Sequence, residues 1–133
     1  MGAQDHSSAV SKMKNQKFRK LDVWNKAMEF IEEIYIFTNK FPKEELYGLT
    51  SQIRRAATSI ALNIAEGSGA NSDPEFNRFL TMALRSNYEL MCGLEIVNRL
   101  RYCSTDEKEV FLIKSDELSA MLFGLKKKLI ADS

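Results

Sequence analysis

The stretch from Tyr47 to Gly67, YGLTSQIRRAATSIALNIAEG, constrains the fold more tightly than any other part of the chain. At about 100° per residue, Leu49, Ile53, Ala56, Ile60 and Ile64 fall on one side of a helix and form an apolar seam. Ala57, Ala61 and Ala65 flank that seam, and small side chains let a neighbouring helix approach closely. Arg55, Ser59, Asn63 and Glu66 line up along the opposite flank. Gly67 and Gly69 follow as an expected C-terminal stop.

Three further segments carry the same period. The first predicted helix runs from Asp22, read as its N-cap, to about Lys40. Trp24, Met28, Ile31, Tyr35 and Thr38 give it a heptad-like seam, and Phe30, Ile34 and Phe37 add a second apolar face. So broad an apolar surface must be covered on more than one side, by the bundle or by another copy. Phe41-Pro42 ends this helix, because the residue before proline disfavours helical angles.

Ser72-Asp73-Pro74-Glu75 then opens a helix expected over about 74–101, with Phe76, Leu80, Ala83, Asn87, Leu90, Leu94 and Val97 as its seam. Ser104-Thr105-Asp106-Glu107 opens another over about 105–131, packing Phe111, Leu118, Leu122, Leu125 and Leu129. Lys126, Lys127 and Lys128 sit in its last turns, where cations suit the helix dipole. With the central helix at about 47–67, the fold class is all-α: an antiparallel up-down-up-down four-helix bundle over 21–133 behind a disordered basic tail over 1–20. No stretch alternates with period two, so no strand is assigned.

Charge divides along the chain. Lys12, Lys14, Lys17, Arg19 and Lys20 face only Asp5 in residues 1–21, a net +4, while residues 22–133 carry a net −3. A generally basic, phosphate-seeking surface is therefore not expected. Nothing is long and apolar enough to span a membrane. The two cysteines, Cys92 and Cys103, form no CxxC, and no secretory leader is seen, so a cytoplasmic, soluble protein is expected.

Candidate chemistry is sparse. The sole histidine, His6, has no second ligand nearby, the Glu-x-x-His motif of metal-binding bundles is absent, and Cys92 is read as a small packing residue. No cofactor, no metal and no catalytic residues are expected. The polar stripe Arg55, Ser59, Asn63, Glu66 admits two readings. If the second and third helices run antiparallel across a short turn, Arg55 lies level with Glu89 and Glu66 with Arg78, both opposite in charge. These pairs would fix helix register, with Arg85 and Asn63 joining them. Alternatively the stripe meets a partner: another subunit, or a nucleic-acid phosphate held by Arg54, Arg55 and Arg85 and by the basic tail.

A family resemblance adds to this. Leu21-Asp22-Val23-Trp24, Lys26-Ala27-Met28 and Phe41 through Leu49 carry it, as do Gln52 through Ala56, Ser59-Ile60, Asn63 through Gly67, Arg85-Ser86 and Glu89. Over about residues 18–130 the chain resembles the four-helix-bundle proteins named for reading frames within 23S rRNA intervening sequences, and the related accessory proteins of diversity-generating retroelements. The resemblance implies a bundle assembled as a ring-shaped homopentamer. For the retroelement branch it also implies RNA or DNA binding and a reverse transcriptase partner. Those accessory proteins are strongly basic, whereas this bundle without its tail is slightly acidic. Self-assembly without enzymatic activity is therefore the first expectation and nucleic-acid binding the second.

Overall fold

Each periodic segment becomes one helix in the computed structural model, which describes residues 15–132. They are α1 (Asp22–Thr38), α2 (Leu49–Ser68), α3 (Asp73–Arg99) and α4 (Thr105–Asp132), with no strand among the described residues. α1 packs on α2, α2 on α3, α3 on α4, and α4 returns to α1, which closes a four-helix bundle. The α2–α3 contact is the most extensive, as the small-residue flank requires.

Ile53, Ile60 and Ile64 of α2 meet Leu80, Leu90, Leu94 and Val97 of α3, and Leu118 and Leu122 of α4, all 1% exposed or less. Burying each such side chain contributes roughly 1.5–3 kcal/mol, so this layer is the main source of stability. Asn87 is the polar exception within it. Its Nδ2 donates to the Ser115 carbonyl at 2.8 Å and to Ser119 Oγ at 2.9 Å, tying α3 to α4.

Two of the anticipated helix starts take shape as capped ends. Ser104 Oγ accepts from the Glu107 amide and Glu107 Oε1 accepts from the Ser104 amide, a reciprocal capping box. Ser72 Oγ accepts from the Glu75 amide at 3.3 Å, with proline in the first turn of α3. Asp22 is not the cap of α1: Leu21 holds that position with no side-chain bond, and Asp22 stands in the first turn as a favourable charge.

Gly69 caps the end of α2 as expected, though not with the left-handed geometry a glycine stop usually takes. No described glycine has positive φ, so α2 does not end in a left-handed glycine. Gly67 instead lies buried against α3, where an added Cβ would stand 2.7 Å from Phe79 Cβ. The left-handed cap occurs at the end of α3, on Arg101 (φ 65°). The Tyr102 amide reaches the Val97 carbonyl and the Arg101 amide the Asn98 carbonyl, the paired bonds of a Schellman motif.

The core face of α1 also differs. Its buried row is Val23, Ala27, Phe30, Ile34 and Phe37, joined by Thr38. The row expected as the seam lies one residue further round: Trp24 and Ile31 are partly buried, while Met28 and Tyr35 are exposed. Both rows have heptad spacing, so spacing alone does not choose between them. Cys92 is exposed rather than packed, and Cys103 is the buried cysteine, where burial pushes its thiol pKa up.

The tail boundary moves as well. Lys17–Lys20 form a 3₁₀ turn packed on α1 and α2, and the Phe18 ring meets Trp24 edge-on at 4.9 Å. His6, Lys12 and Lys14 lie outside the described residues.

Candidate interaction surface

The arginines singled out by sequence do not converge. Arg54 turns toward the end of α1: Nε donates to Thr38 Oγ1 at 2.8 Å, Nη2 to Asn39 Oδ1 at 3.1 Å, and the guanidinium lies 4.6 Å from the Tyr35 ring centroid. A cation is thereby held where the α1 carbonyls lack partners. Arg55 and Arg85 are exposed and make no ion pair with any described residue. Lys17, Arg19 and Lys20 share the 3₁₀ turn, where Arg19 Nη1 donates to Gln16 Oε1 at 3.0 Å.

The polar stripe keeps its register but not its ion pairs. Ser86 Oγ donates to Ser59 Oγ at 2.8 Å across the α2–α3 seam, and Asn63 Nδ2 donates to Ser59 Oγ and to the Ser59 carbonyl. That places α3 against α2 at the expected level. Yet Arg78 pairs with Glu75 one turn back along its own helix, at 2.7 Å, and not with Glu66. Arg78 holds the Glu75 carboxyl below its ordinary pKa. Arg55 and Glu89 are both exposed and form no pair. An exposed pair gains about 0–1 kcal/mol, too little to hold two long side chains together.

Several polar contacts were not anticipated from sequence. Lys126 crosses to α3, reaching Asn77 Oδ1 at 2.9 Å and Thr81 Oγ1 at 2.5 Å, beyond its expected dipole role. The Tyr102 hydroxyl donates to Glu45 Oε2 at 2.8 Å, which pushes the phenol's pKa up. Such contacts join residues distant in sequence and leave no periodic trace.

The α1–α4 side carries the clearest surface feature. Lys114 pairs with Glu33 and Lys40 with Glu107, which marks the level at which the two helices lie against each other. Between those pairs Ile36, Val110 and Ile113 come level, 73%, 49% and 59% exposed. An apolar centre flanked by charge is the anatomy of a protein interface. Toward the start of α1 lies a cleft of about 400 Å³, floored by Phe30 and Leu118 and rimmed by Lys26, Glu29, Glu33 and Glu117. No group of three or more His, Cys, Asp or Glu side chains is placed to hold a metal among the described residues. None of the described helices is long and apolar enough to cross a membrane.

Comparison with known proteins agrees with this architecture. A solved structure from Bacteroides thetaiotaomicron, a protein of unknown function from the S23 ribosomal protein family, superposes with a TM-score of 0.73 at 29% identity. The match covers 79% of this chain and 95% of that one. No curated protein matches the chain in sequence. The family model of the 23S rRNA-intervening sequence protein matches residues 19–124, from the 3₁₀ turn into α4. The chain belongs to the 23S rRNA-intervening sequence protein family.

Proposed function

We propose that this protein is a non-catalytic interaction module that works as a homo-oligomeric ring, with five copies as the expected number. The observation that carries this is the Ile36, Val110 and Ile113 patch set between two interhelical ion pairs. Exposed apolar area of this kind is stabilised by a protein partner. Across the bundle, α2 and α3 leave Leu62 and Ile96 exposed as well. A ring needs a second, different surface to receive this patch, because head-to-tail contacts close into rings whereas one surface pairing with itself gives a twofold dimer. Light scattering coupled to gel filtration tests this at micromolar protein. A mass several times 15.2 kDa is expected, and a 15.2 kDa monomer contradicts the reading.

A second reading, RNA or DNA contact, draws on the exposed and unpaired Arg55 and Arg85 of the α2–α3 side. Such binding weakens steeply with salt, because each phosphate contact releases counterions. Gel shifts with structured RNA and duplex DNA at low salt test it, and absence of any complex overturns it.

A further inference from the structure

Glu117, Ala120, Gly124 and Lys127 recur at intervals of three and four along α4, so they share its outer face, and all four are exposed. Phe123 flanks that face and is 50% exposed. Asp116 and Lys128 extend it on either side, both exposed. None of Asp116, Glu117, Lys127 and Lys128 makes an ion pair with a described residue.

Gly124 stands apart from the other helical glycines. A neighbour requires each of those: an added Cβ would lie 2.7 Å from Phe79 Cβ at Gly67 and 2.9 Å from Ile53 Cγ1 at Gly93. At Gly124 it meets nothing within 4 Å, although glycine weakens a helix relative to alanine. The charges around it are arranged in a definite order, two acids before it and two bases after it. Laid antiparallel against itself about a twofold axis at the level of Leu122, this face is complementary. Ala120 comes level with Gly124, Glu117 with Lys127 and Asp116 with Lys128, and symmetry repeats each match. A parallel copy would instead set acid beside acid and base beside base.

We propose that the outer face of α4 docks on the same face of a second copy, antiparallel, with Asp116 and Glu117 of each chain against Lys127 and Lys128 of the other. The small residues at its centre admit a close approach of the two helices. Phe123, one residue from the twofold level, brings its ring beside its own counterpart along one flank. A single helix pair covers less than the roughly 1,200 Å² of stable complexes. The contact is therefore weak between single chains and gains where copies are already held together. Its centre lies roughly 13 Å along α4 from Ile113, so it leaves the Ile36, Val110 and Ile113 patch free for the contact proposed above.

The test is sedimentation equilibrium of the full chain carrying Ile36→Glu, which charges the patch on α1 and leaves α4 unaltered, at concentrations up to about 1 mM. A monomer–dimer equilibrium is expected. Asp116→Lys with Glu117→Lys, added to that chain, sets lysine against lysine and is expected to weaken pairing by about tenfold or more. Lys127→Glu with Lys128→Glu is expected to do the same, and all four changes together to restore it. Every position is exposed, so the bundle should survive, as circular dichroism will show. The proposal is overturned if the Ile36→Glu chain stays monomeric at about 1 mM. It is equally overturned if the charge variants pair as the Ile36→Glu chain does, or if the fourfold exchange pairs no better than its halves. If Ile36→Glu associates as the unaltered chain does and only the charge variants differ, the patch reading fails and the α4 contact stands.

Discussion

Gly67 and Phe79 bring α2 and α3 into contact so close that a Cβ on Gly67 would stand 2.7 Å from the Phe79 Cβ and 2.8 Å from Phe76 Cδ1. Gly124 of α4 has nothing within 4 Å of the same construction. One substitution should therefore have opposite effects at the two sites. Gly67→Ala forces the helices apart and is expected to cost about 1–3 kcal/mol. Gly124→Ala relieves only the backbone entropy of glycine and is expected to stabilise by about 0.5–1 kcal/mol. Urea midpoints moving in the same direction would contradict this picture of the seam.

Arg101 stands in the left-handed region where glycine is the usual residue, and its side chain is exposed. Left-handed backbone costs a non-glycine residue about 1–2 kcal/mol. Part of that is offset by the freedom glycine has in the unfolded chain. Arg101→Gly is expected to raise stability by roughly 0.5–1 kcal/mol. A loss on thermal unfolding would mean that the Schellman cap is not the native end of α3.

The arginines should separate by stability. Arg54 closes α1 through charge-assisted bonds to Thr38 and Asn39, so Arg54→Met is expected to cost about 1–3 kcal/mol. Arg55→Met and Arg85→Met remove exposed side chains with no ion pair and are expected to stay within about 0.5 kcal/mol. Equal losses at all three would sink the distinction between a helix-closing arginine and two surface ones.

Acid should loosen the start of α4. Lys40, followed by the Ser104 amide, holds the Glu107 carboxyl below its ordinary value of 4.5. A depressed folded pKa contributes stability that is present above the unfolded pKa and lost as pH falls through the folded one. The group is exposed, so the contribution is screened to on the order of 0.5–1 kcal/mol. Glu107→Gln is expected to cost that much at neutral pH and nothing once pH falls well below about 4. A gap between the two proteins that persists in acid would rule the coupling out.

How far the fold was legible depends on the helix. On α2 and α3 the apolar residues form one seam each, so Ile53, Ile60, Leu90 and Leu94 are buried as their spacing requires. α1 carries two apolar rows offset by one residue, and what decides between them lies elsewhere. Phe18 packs on Trp24 and Arg54 on Tyr35, which makes that row the flank and leaves Phe30 and Ile34 to the core. The antiparallel register of α2 and α3 was readable from the turn between them, and Ser59 meets Ser86 as it demands. The charges were not readable, because Arg78 has a carboxylate at hand in Glu75 and does not need Glu66. The Ile36, Val110 and Ile113 patch was invisible for a related reason. Its members come level only once α4 packs on α1, Phe111 against Phe30 and Phe37, at the register that the Lys114–Glu33 and Lys40–Glu107 pairs mark.

The most direct test of self-association through that patch is sedimentation equilibrium of the Val110→Glu, Ile113→Glu double variant beside the unaltered chain. Both positions are exposed within the protomer, so helicity and the bundle should survive, as circular dichroism will show. Charges placed in the apolar centre of an interface are expected to abolish assembly. The result expected is a multimer of the 15.2 kDa chain for the unaltered protein and a folded monomer for the variant. A variant that assembles as the unaltered chain does, or an unaltered chain that is monomeric at micromolar concentration, would contradict it.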